Sequence, residues 1–411
     1  QQLFHAVYKK NIKSFDELTT FGADLRAKIK GLISLEKPKI IDVQKSKDGT
    51  IKFLLELKDK RNVETVLIPD KSQSRYTICL SVSVGCYLSC EFCATAQISK
   101  KLVRNLSPGE IISQIILSKD YINDWSTQKK ITNQVLMGEG SPFLNLDNVK
   151  IAIDNSKNKD GLEYGRTRIT VSTVGVGIKK DNLDAIEWAA NELDVYLAWS
   201  LHSSIPKHRS ELMPINDKYS INSLLPKLKK YYEKTKLPIF IEWICLDENL
   251  TDDHAKELIK IMKKVPSKLN LIEFNPLSNK DFKPATQENI DKFSKKIQEA
   301  GFIPLALGGQ PWQEGLMFDV VASSTLGFPH MAKLYRDKDV EAFRDGKMEM
   351  VLQTYRDLNS FIDEGAPGRL WNDATAMVVE GKAAMQIMGD WARGEFAVAG
   401  KEAKVDYDCV I

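Results

Sequence analysis

Cys86, Cys90 and Cys93 lie in the run Gly85-Cys-Tyr-Leu-Ser-Cys-Glu-Phe-Cys93, a C-x3-C-x2-C spacing. A structural zinc site wants four protein ligands, and an electron-carrying iron–sulfur cluster is held by four thiolates. Three closely spaced thiolates therefore suit a 4Fe–4S cube with one iron left open to bind a small molecule. Three unrelated buried cysteines, or a zinc site completed by a distant residue, are the alternatives, although cysteines rarely cluster this tightly without a ligand role. Cys79, upstream of the loop, reads on its own as a core residue of the first strand. Cys245 and Cys409 stand alone, so the six cysteines are no disulfide framework, and a labile cluster calls for a reducing cytosol.

Such a loop needs rigid elements to hold it. From Tyr76 onward short apolar runs alternate with helical stretches. Strands are predicted at residues 77–82, 134–137, 168–172, 195–201, 239–246 and 269–274, with helices between them, for example at 108–117, 221–234 and 252–264. Six strand–helix units in series predict an α/β fold with a parallel, barrel-like sheet and right-handed crossovers. Chemistry in such a sheet sits at the C-terminal strand ends, and the cysteine loop follows the first strand. Upstream, residues 52–57 and 64–68 alternate like a hairpin closed by Pro69. Residues 1 to about 35 read as helical, with Leu3, Phe4, Val7 and Tyr8 on one face.

At 411 residues the chain exceeds one ordinary core, which predicts two or more domains. Its 43% hydrophobic and 27% charged residues are those of a soluble globular protein. No apolar run reaches membrane-spanning length and no signal-peptide core is present, so a cytoplasmic location without a membrane partner is expected. The first residue is Gln, and the start of the natural chain is expected to be missing. From Phe302 to the end there are 11 Lys+Arg against 17 Asp+Glu, whereas residues 1–301 hold 47 against 38. The basic first part suits a polyanionic partner such as RNA, or is only a solvated surface.

With these segments in view, residues 1–301 resemble the dual-specificity RNA methyltransferase RlmN family of radical S-adenosylmethionine (SAM) enzymes. The matching runs are Tyr8-Lys-Lys with Ser14-Phe-Asp-Glu, Val63-Glu-Thr-Val-Leu-Ile-Pro69, Thr77-Ile-Cys-Leu-Ser81 and Thr95-Ala-Gln97. Arg104-Asn-Leu, Ser172-Thr-Val-Gly175, Ser200-Leu-His202, Arg209-Ser-Glu-Leu-Met-Pro-Ile-Asn216 and Phe274-Asn-Pro-Leu277 continue the series. The resemblance implies a partial (βα)6 barrel with a small N-terminal accessory domain, and methylation of carbon-2 of adenine in ribosomal RNA, transfer RNA or both. It implies that Cys86, Cys90 and Cys93 hold a 4Fe–4S cluster whose open iron chelates SAM, and that Gly140, Ser141, Ser172, Ser200, Leu201, His202 and Asn275 fall where the family contacts SAM. Glu64 matches the proposed general base, Cys79 the second catalytic cysteine, and a one-electron reductant such as flavodoxin is the implied partner.

Two departures stand out. The family's Gly-Met-Gly-Glu-Pro run reads Gly138-Glu-Gly-Ser-Pro142 here, so Ser141 occupies the place of a carboxylate that orients SAM, and Glu139 is displaced by two positions. The family also carries a methyl-bearing cysteine beyond the helix at 287–300, and here no cysteine follows that helix until Cys409. Residues 302–411 instead resemble an interior piece of an ABC-transporter sugar-binding protein of the glucose/mannose type. The runs are Pro304-Leu-Ala-Leu-Gly-Gly-Gln-Pro-Trp312, Glu364-Gly-Ala-Pro-Gly-Arg369, Trp371-Asn-Asp-Ala-Thr-Ala-Met377 and Met388-Gly-Asp-Trp-Ala-Arg393. Trp312, Trp371 and Trp391 beside Asp373 and Asp390 are residue types that stack on and hydrogen-bond a sugar; individually they read as core aromatics. The expected organisation is an accessory domain at 1–70, a radical-SAM core at 71–301 and an incomplete, periplasmic-binding-protein-like α/β segment at 302–411, joined near Gly301 as two gene fragments. A fragment lacking most of one lobe is not expected to bind sugar.

Overall fold

The predicted parallel strands form in sequence order, and three antiparallel strands extend them. A computed structural model describes residues 2–70, 75–98, 101–126, 129–176, 184–277, 281–299, 303–344, 346–363 and 365–409. A meander of β1 (Lys39–Lys45), β2 (Ile51–Glu56) and β3 (Asn62–Pro69) pairs through β3 with β4 (Tyr76–Cys79). A two-residue pair, β5 (Ser83–Val84) with β6 (Arg104–Asn105), stands apart. The parallel series continues through β7 (Ile131–Leu136), β8 (Ile169–Thr173), β9 (Tyr196–Ser200), β10 (Ile239–Cys245) and β11 (Ser267–Glu273). The nine-stranded order is β1-β2-β3-β4-β7-β8-β9-β10-β11. The accessory hairpin therefore continues the sheet of the core.

Helices α1 (Gln2–Tyr8) and α2 (Ala23–Leu32) precede the sheet, and α3 (Ala94–Ile98) follows the cysteines. The crossovers contain α4 (Pro108–Tyr121), α5 (Leu146–Lys157), α6 (Ala185–Glu192), α7 (Pro206–Leu212), α8 (Ile221–Thr235) and α9 (Asp252–Met262). Their starts are written in the sequence: Ser107 and Glu110 form a capping box around Pro108 on α4, and Asp184, Ser220 and Thr251 accept backbone N–H bonds at the starts of α6, α8 and α9.

Register decides what faces what. Cys79 lies opposite Val66 of β3 and Val135 of β7, Ser172 opposite Ala198, and Ser200 opposite Glu242. Paired residues share a face and so do alternate residues along a strand, so Glu64, Cys79, Ser172, Ser200 and Glu242 line one inner face. The other face carries Ile78, Val171, Leu197, Trp199, Ile241 and Trp243, all fully buried or nearly so. Each such side chain contributes about 2 kcal/mol when removed from water.

Residues Gln1–Thr286 form one compact unit and Gln287–Ile411 another. Compactness thus groups α10 (Gln287–Glu299) with the second unit, whereas the sequence division falls at Gly301, which with Phe302 lies outside the described residues. The second unit continues with β12 (Ile303–Ala306), α11 (Pro311–Leu326), α12 (Phe328–Tyr335), α13 (Val340–Arg344), α14 (Lys347–Asn359), α15 (Trp371–Val379), β13 (Ala383–Gln386) and α16 (Arg393–Val398). Strands β12 and β13 pair in parallel as a sheet of two. The unit's buried clusters are small, for example Val321, Ala322, Met348 and Val351, while Phe328 and Val398 are 84% and 89% exposed. Trp312 and Trp391 are exposed too, with ring centroids 6.3 Å apart, which corrects their reading as core aromatics: so short a segment has too little interior to enclose them. Among the described residues no helix is long and apolar enough to cross a membrane.

Candidate active site

The cysteine loop is pinched at its base by β5 and β6, where Ser83 pairs with Asn105 and Val84 with Arg104. Gly85 turns the chain out of β5 with φ 72°, a left-handed conformation that costs glycine little. Within the loop the Leu88 N–H donates to Cys86 Sγ (3.4 Å), the Cys90 N–H to the Leu88 carbonyl (2.7 Å) and the Cys93 N–H to the Cys90 carbonyl (3.1 Å). Helix α3 starts directly after Cys93. Cys90 is buried with Leu88, Val174, Leu212, Met213, Ile244, Leu246 and Phe274, and Cys86, Phe92 and Cys93 pack against the same cluster. Val174, Ile244 with Leu246, and Phe274 come from the C-terminal ends of β8, β10 and β11, the end at which the barrel prediction placed chemistry.

Burial pushes the Cys90 thiol up to about 12, and the neighbouring Cys93 and Cys86 push the same way. Burial also raises Cys86, against the opposing Leu88 amide. Thiols that oppose one another's ionisation in an apolar pocket ionise when cations bind them. Among the described residues no three His, Cys, Asp or Glu side chains already stand in metal-binding geometry. Three cysteines packed on one apolar cluster are one thiolate short of a structural zinc site and suit a cube with an open iron. The donor set and its surroundings fit the 4Fe–4S group.

Around this loop lie the residues expected to meet SAM. Gly140 has φ +91°, and a Cβ there would sit 1.9 Å from Ser83 Oγ, so only glycine fits. Ser141 is buried, and among the described residues its Oγ has no hydrogen-bond partner. Glu139 does not take over that position: its carboxylate accepts the Glu64 N–H (2.9 Å) and the Gly85 N–H, and its own N–H donates to Ser81 Oγ (3.0 Å). Ser172 Oγ donates to the Leu136 carbonyl (2.8 Å). Leu201 is fully buried and its N–H donates to the Glu242 carbonyl (3.2 Å), leaving no free donor for a ligand. His202, at φ 55°, accepts the Ile244 N–H on Nδ1 (3.0 Å) and meets the Phe92 ring edge-on at 4.7 Å. Burial, then Arg209, hold it down to about 3, so the ring is neutral with its proton on Nε2. Asn275 is exposed directly after Phe274.

Glu64 and Cys79 share the inner face through the β3–β4 register. The Glu64 carboxylate pairs with Lys52 Nζ at 2.9 Å and remains solvent-accessible, as a proton acceptor must. Burial pushes the Cys79 thiol up to about 11, against the lowering effect of the Met137 amide. Three charged residues take structural roles that the sequence does not assign. Glu139 was set aside as displaced, Glu242 is a buried carboxylate opposite Ser200 with Asn270 Nδ2 at 2.6 Å, and Arg209 is a fully buried guanidinium. The sequence signal for Glu242 is a charge inside an apolar run, and that for Arg209 is its place at the head of the run Arg209-Ser-Glu-Leu-Met-Pro-Ile-Asn216.

No protein-family model matches the chain. It is 39% identical over 309 residues to the dual-specificity RNA methyltransferase RlmN of Lawsonia intracellularis, a match covering 74% of this chain and 84% of that protein. It is 37% identical over 316 residues to the RlmN of a Bradyrhizobium species, covering 74% and 76%. The crystal structure of a radical SAM methyltransferase from Sphaerobacter thermophilus superposes with a TM-score of 0.66 at 31% identity, covering 73% of this chain and 85% of that one. With its thiol loop at the strand ends and relatives of this identity, the chain belongs to the dual-specificity RNA methyltransferase RlmN family, radical-SAM enzymes that work with a 4Fe–4S cluster and S-adenosylmethionine.

Proposed function

We propose that the chain carries the SAM-cleaving half of an RNA adenine carbon-2 methyltransferase and lacks the residue that delivers the methyl group. The observation that supports it most is the pairing of a complete thiol loop with inner-face Glu64 and Cys79, while the segment after α10 holds no cysteine but exposed Cys409. Cys86, Cys90 and Cys93 would hold the cluster, which with bound SAM supplies a 5′-deoxyadenosyl radical. Gly140, Ser141, Ser172, Ser200, His202 and Asn275 ring the strand ends where SAM would lie. Glu64 would accept the proton lost as the adenine ring regains aromaticity, and Cys79 would resolve a covalent enzyme–RNA adduct. The basic character of residues 1–301 suits ribosomal or transfer RNA, and a cytosolic low-potential donor of the flavodoxin type would supply the electron.

Where the family's methyl-carrying cysteine is expected, β12 instead pairs with β13 in the second unit. The likeness of residues 302–411 to a sugar-binding protein rests on their sequence runs alone. Anaerobic reconstitution with iron and sulfide, then reaction with SAM, a one-electron reductant and RNA, tests the reading by mass spectrometry. The expected result is 5′-deoxyadenosine without 2-methyladenosine. A fully loaded protein that releases no 5′-deoxyadenosine overturns it.

A further inference from the structure

Arg209, on α7, is 0% exposed, and its guanidinium is spent on neutral acceptors. Nε donates to the Leu201 carbonyl (3.1 Å), Nη1 to Asn216 Oδ1 (2.7 Å), and Nη2 to the Val174 (3.0 Å) and Ser200 (3.1 Å) carbonyls. Among the described residues no carboxylate lies within ion-pair distance of it. A buried charge without a counter-charge is costly, and proteins rarely keep one. The thiol loop, whose cysteines become anionic only on binding a metal, lies beside it: Val174, whose carbonyl Arg209 holds, packs in the same cluster as Cys90, and the Glu91 N–H docks on the Leu212 carbonyl at the end of α7 (2.9 Å).

We infer that Arg209 is the built-in counter-charge of the iron–sulfur site, a positioning residue that favours thiolate ligation and raises the reduction potential of the cluster bound there. The inference rests on the 4Fe–4S reading of Cys86, Cys90 and Cys93. When a low-potential one-electron donor reduces the site, one electron enters and no bond or proton is exchanged. The site becomes more negative by one unit, and a fixed positive charge in a low-dielectric pocket favours that state. The carbonyls of Val174, Ser200 and Leu201 hold the guanidinium in place, so the charge does not have to reorganise.

Arg209→Lys keeps the charge and loses the fork, whereas Arg209→Gln loses the charge and keeps part of the hydrogen bonding. Three readouts apply to reconstituted protein: iron and sulfide per chain, the rate of iron loss to a chelator, and the midpoint potential from an EPR-monitored titration. The Gln variant is expected to lose iron faster and to have a more negative potential, because a fixed positive charge near the site is gone; the Lys variant should match the unmodified chain. Equal potentials in all three proteins would make Arg209 purely structural and overturn the inference. If the Gln variant does not fold, the Lys variant decides. Wild-type iron content and potential in it support the counter-charge, while a Lys variant that is unfolded or shifted assigns the role to the hydrogen-bonding fork and overturns the proposal. Failure of every protein, including the unmodified chain, to take up iron would instead overturn the cluster reading beneath it.

Discussion

On the proposed reading each of the three thiols holds its own iron, so loss of any one should remove the cluster. Cys86→Ala, Cys90→Ala or Cys93→Ala should each abolish stoichiometric iron and sulfide uptake, while Cys245→Ala and Cys409→Ala should keep it; metal and sulfide analysis after anaerobic reconstitution checks this. Retention of iron by any of the first three, or zinc in its place, would point to another ligand set. If SAM lies at the strand ends as proposed, the buried Ser141 Oγ, which has no hydrogen-bond partner among the described residues, is a weak substitute for a carboxylate facing its amino group. Ser141→Glu should tighten SAM binding by about tenfold, one charge-assisted hydrogen bond, and lower the melting temperature of the ligand-free protein, because a buried carboxylate then lacks a cation. Calorimetry and thermal unfolding read the two effects separately, and unchanged affinity would mean that another group already serves SAM. The ligand loop was legible because cysteine spacing is local. Glu139 was not, because its partners, the Glu64 and Gly85 amides, are brought to it only by the β3–β4–β7 pairing. Arg209 and Glu242 were hidden for the same reason: their burial is a tertiary property.

At the scale of elements, the parallel strands were readable because each is an apolar run bounded by helix caps, and the capping residues of α4, α8 and α9 are sequence signals in themselves. Strand β1 was missed because Lys39–Lys45 is a mostly exposed edge with no clean alternation, so tertiary pairing with β2 makes it a strand. The attachment of the N-terminal segment was equally invisible. Asp120, at the end of α4, accepts bonds from Asn11 Nδ2 (2.7 Å), Lys13 Nζ (2.9 Å), Lys37 Nζ (2.8 Å) and Trp125 Nε1 (2.9 Å). Burial alone would raise its carboxyl, but the bonds from Lys37, Lys13 and Asn11 outweigh it and hold the group at about 2. Its folded value is thus below the ordinary value of about 4. The stability it contributes is present above about pH 4 and is lost as pH falls toward 2. Asp120→Asn should therefore melt lower than the unmodified chain at neutral pH, with the gap closing over that acid window. A gap of constant size from pH 7 to pH 2 would show that hydrogen bonding alone, without the charge, joins the segment to α4.

For the whole molecule the governing fact is that the chain's second unit has a different character from its first. The first unit buries large side chains along a nine-stranded sheet, whereas residues 287–411 have small separate clusters and an apolar groove of about 360 Å³ lined by Phe318, Leu334, Tyr335, Val340, Phe343 and Met348. The composition also changes abruptly after Gly301. The chemical consequence follows from the reaction proposed for the first unit. Carbon-2 of adenine is not nucleophilic enough to take a methyl group directly from SAM, so the carbon has to travel as a thioether on a protein cysteine before a radical at that carbon adds to the ring. Cys79 cannot be both that carrier and the thiol that resolves the adduct. Replacing the residues after Gly301 by a tail of the family type with one cysteine should therefore convert a chain that only consumes SAM into one that makes 2-methyladenosine in RNA, measured by mass spectrometry of nuclease digests. The gain should vanish when the new cysteine, Glu64 or Cys79 is replaced by alanine, glutamine or alanine respectively. Methylated RNA from the unmodified chain would instead make Cys409 the carrier, and Cys409→Ala would then abolish it.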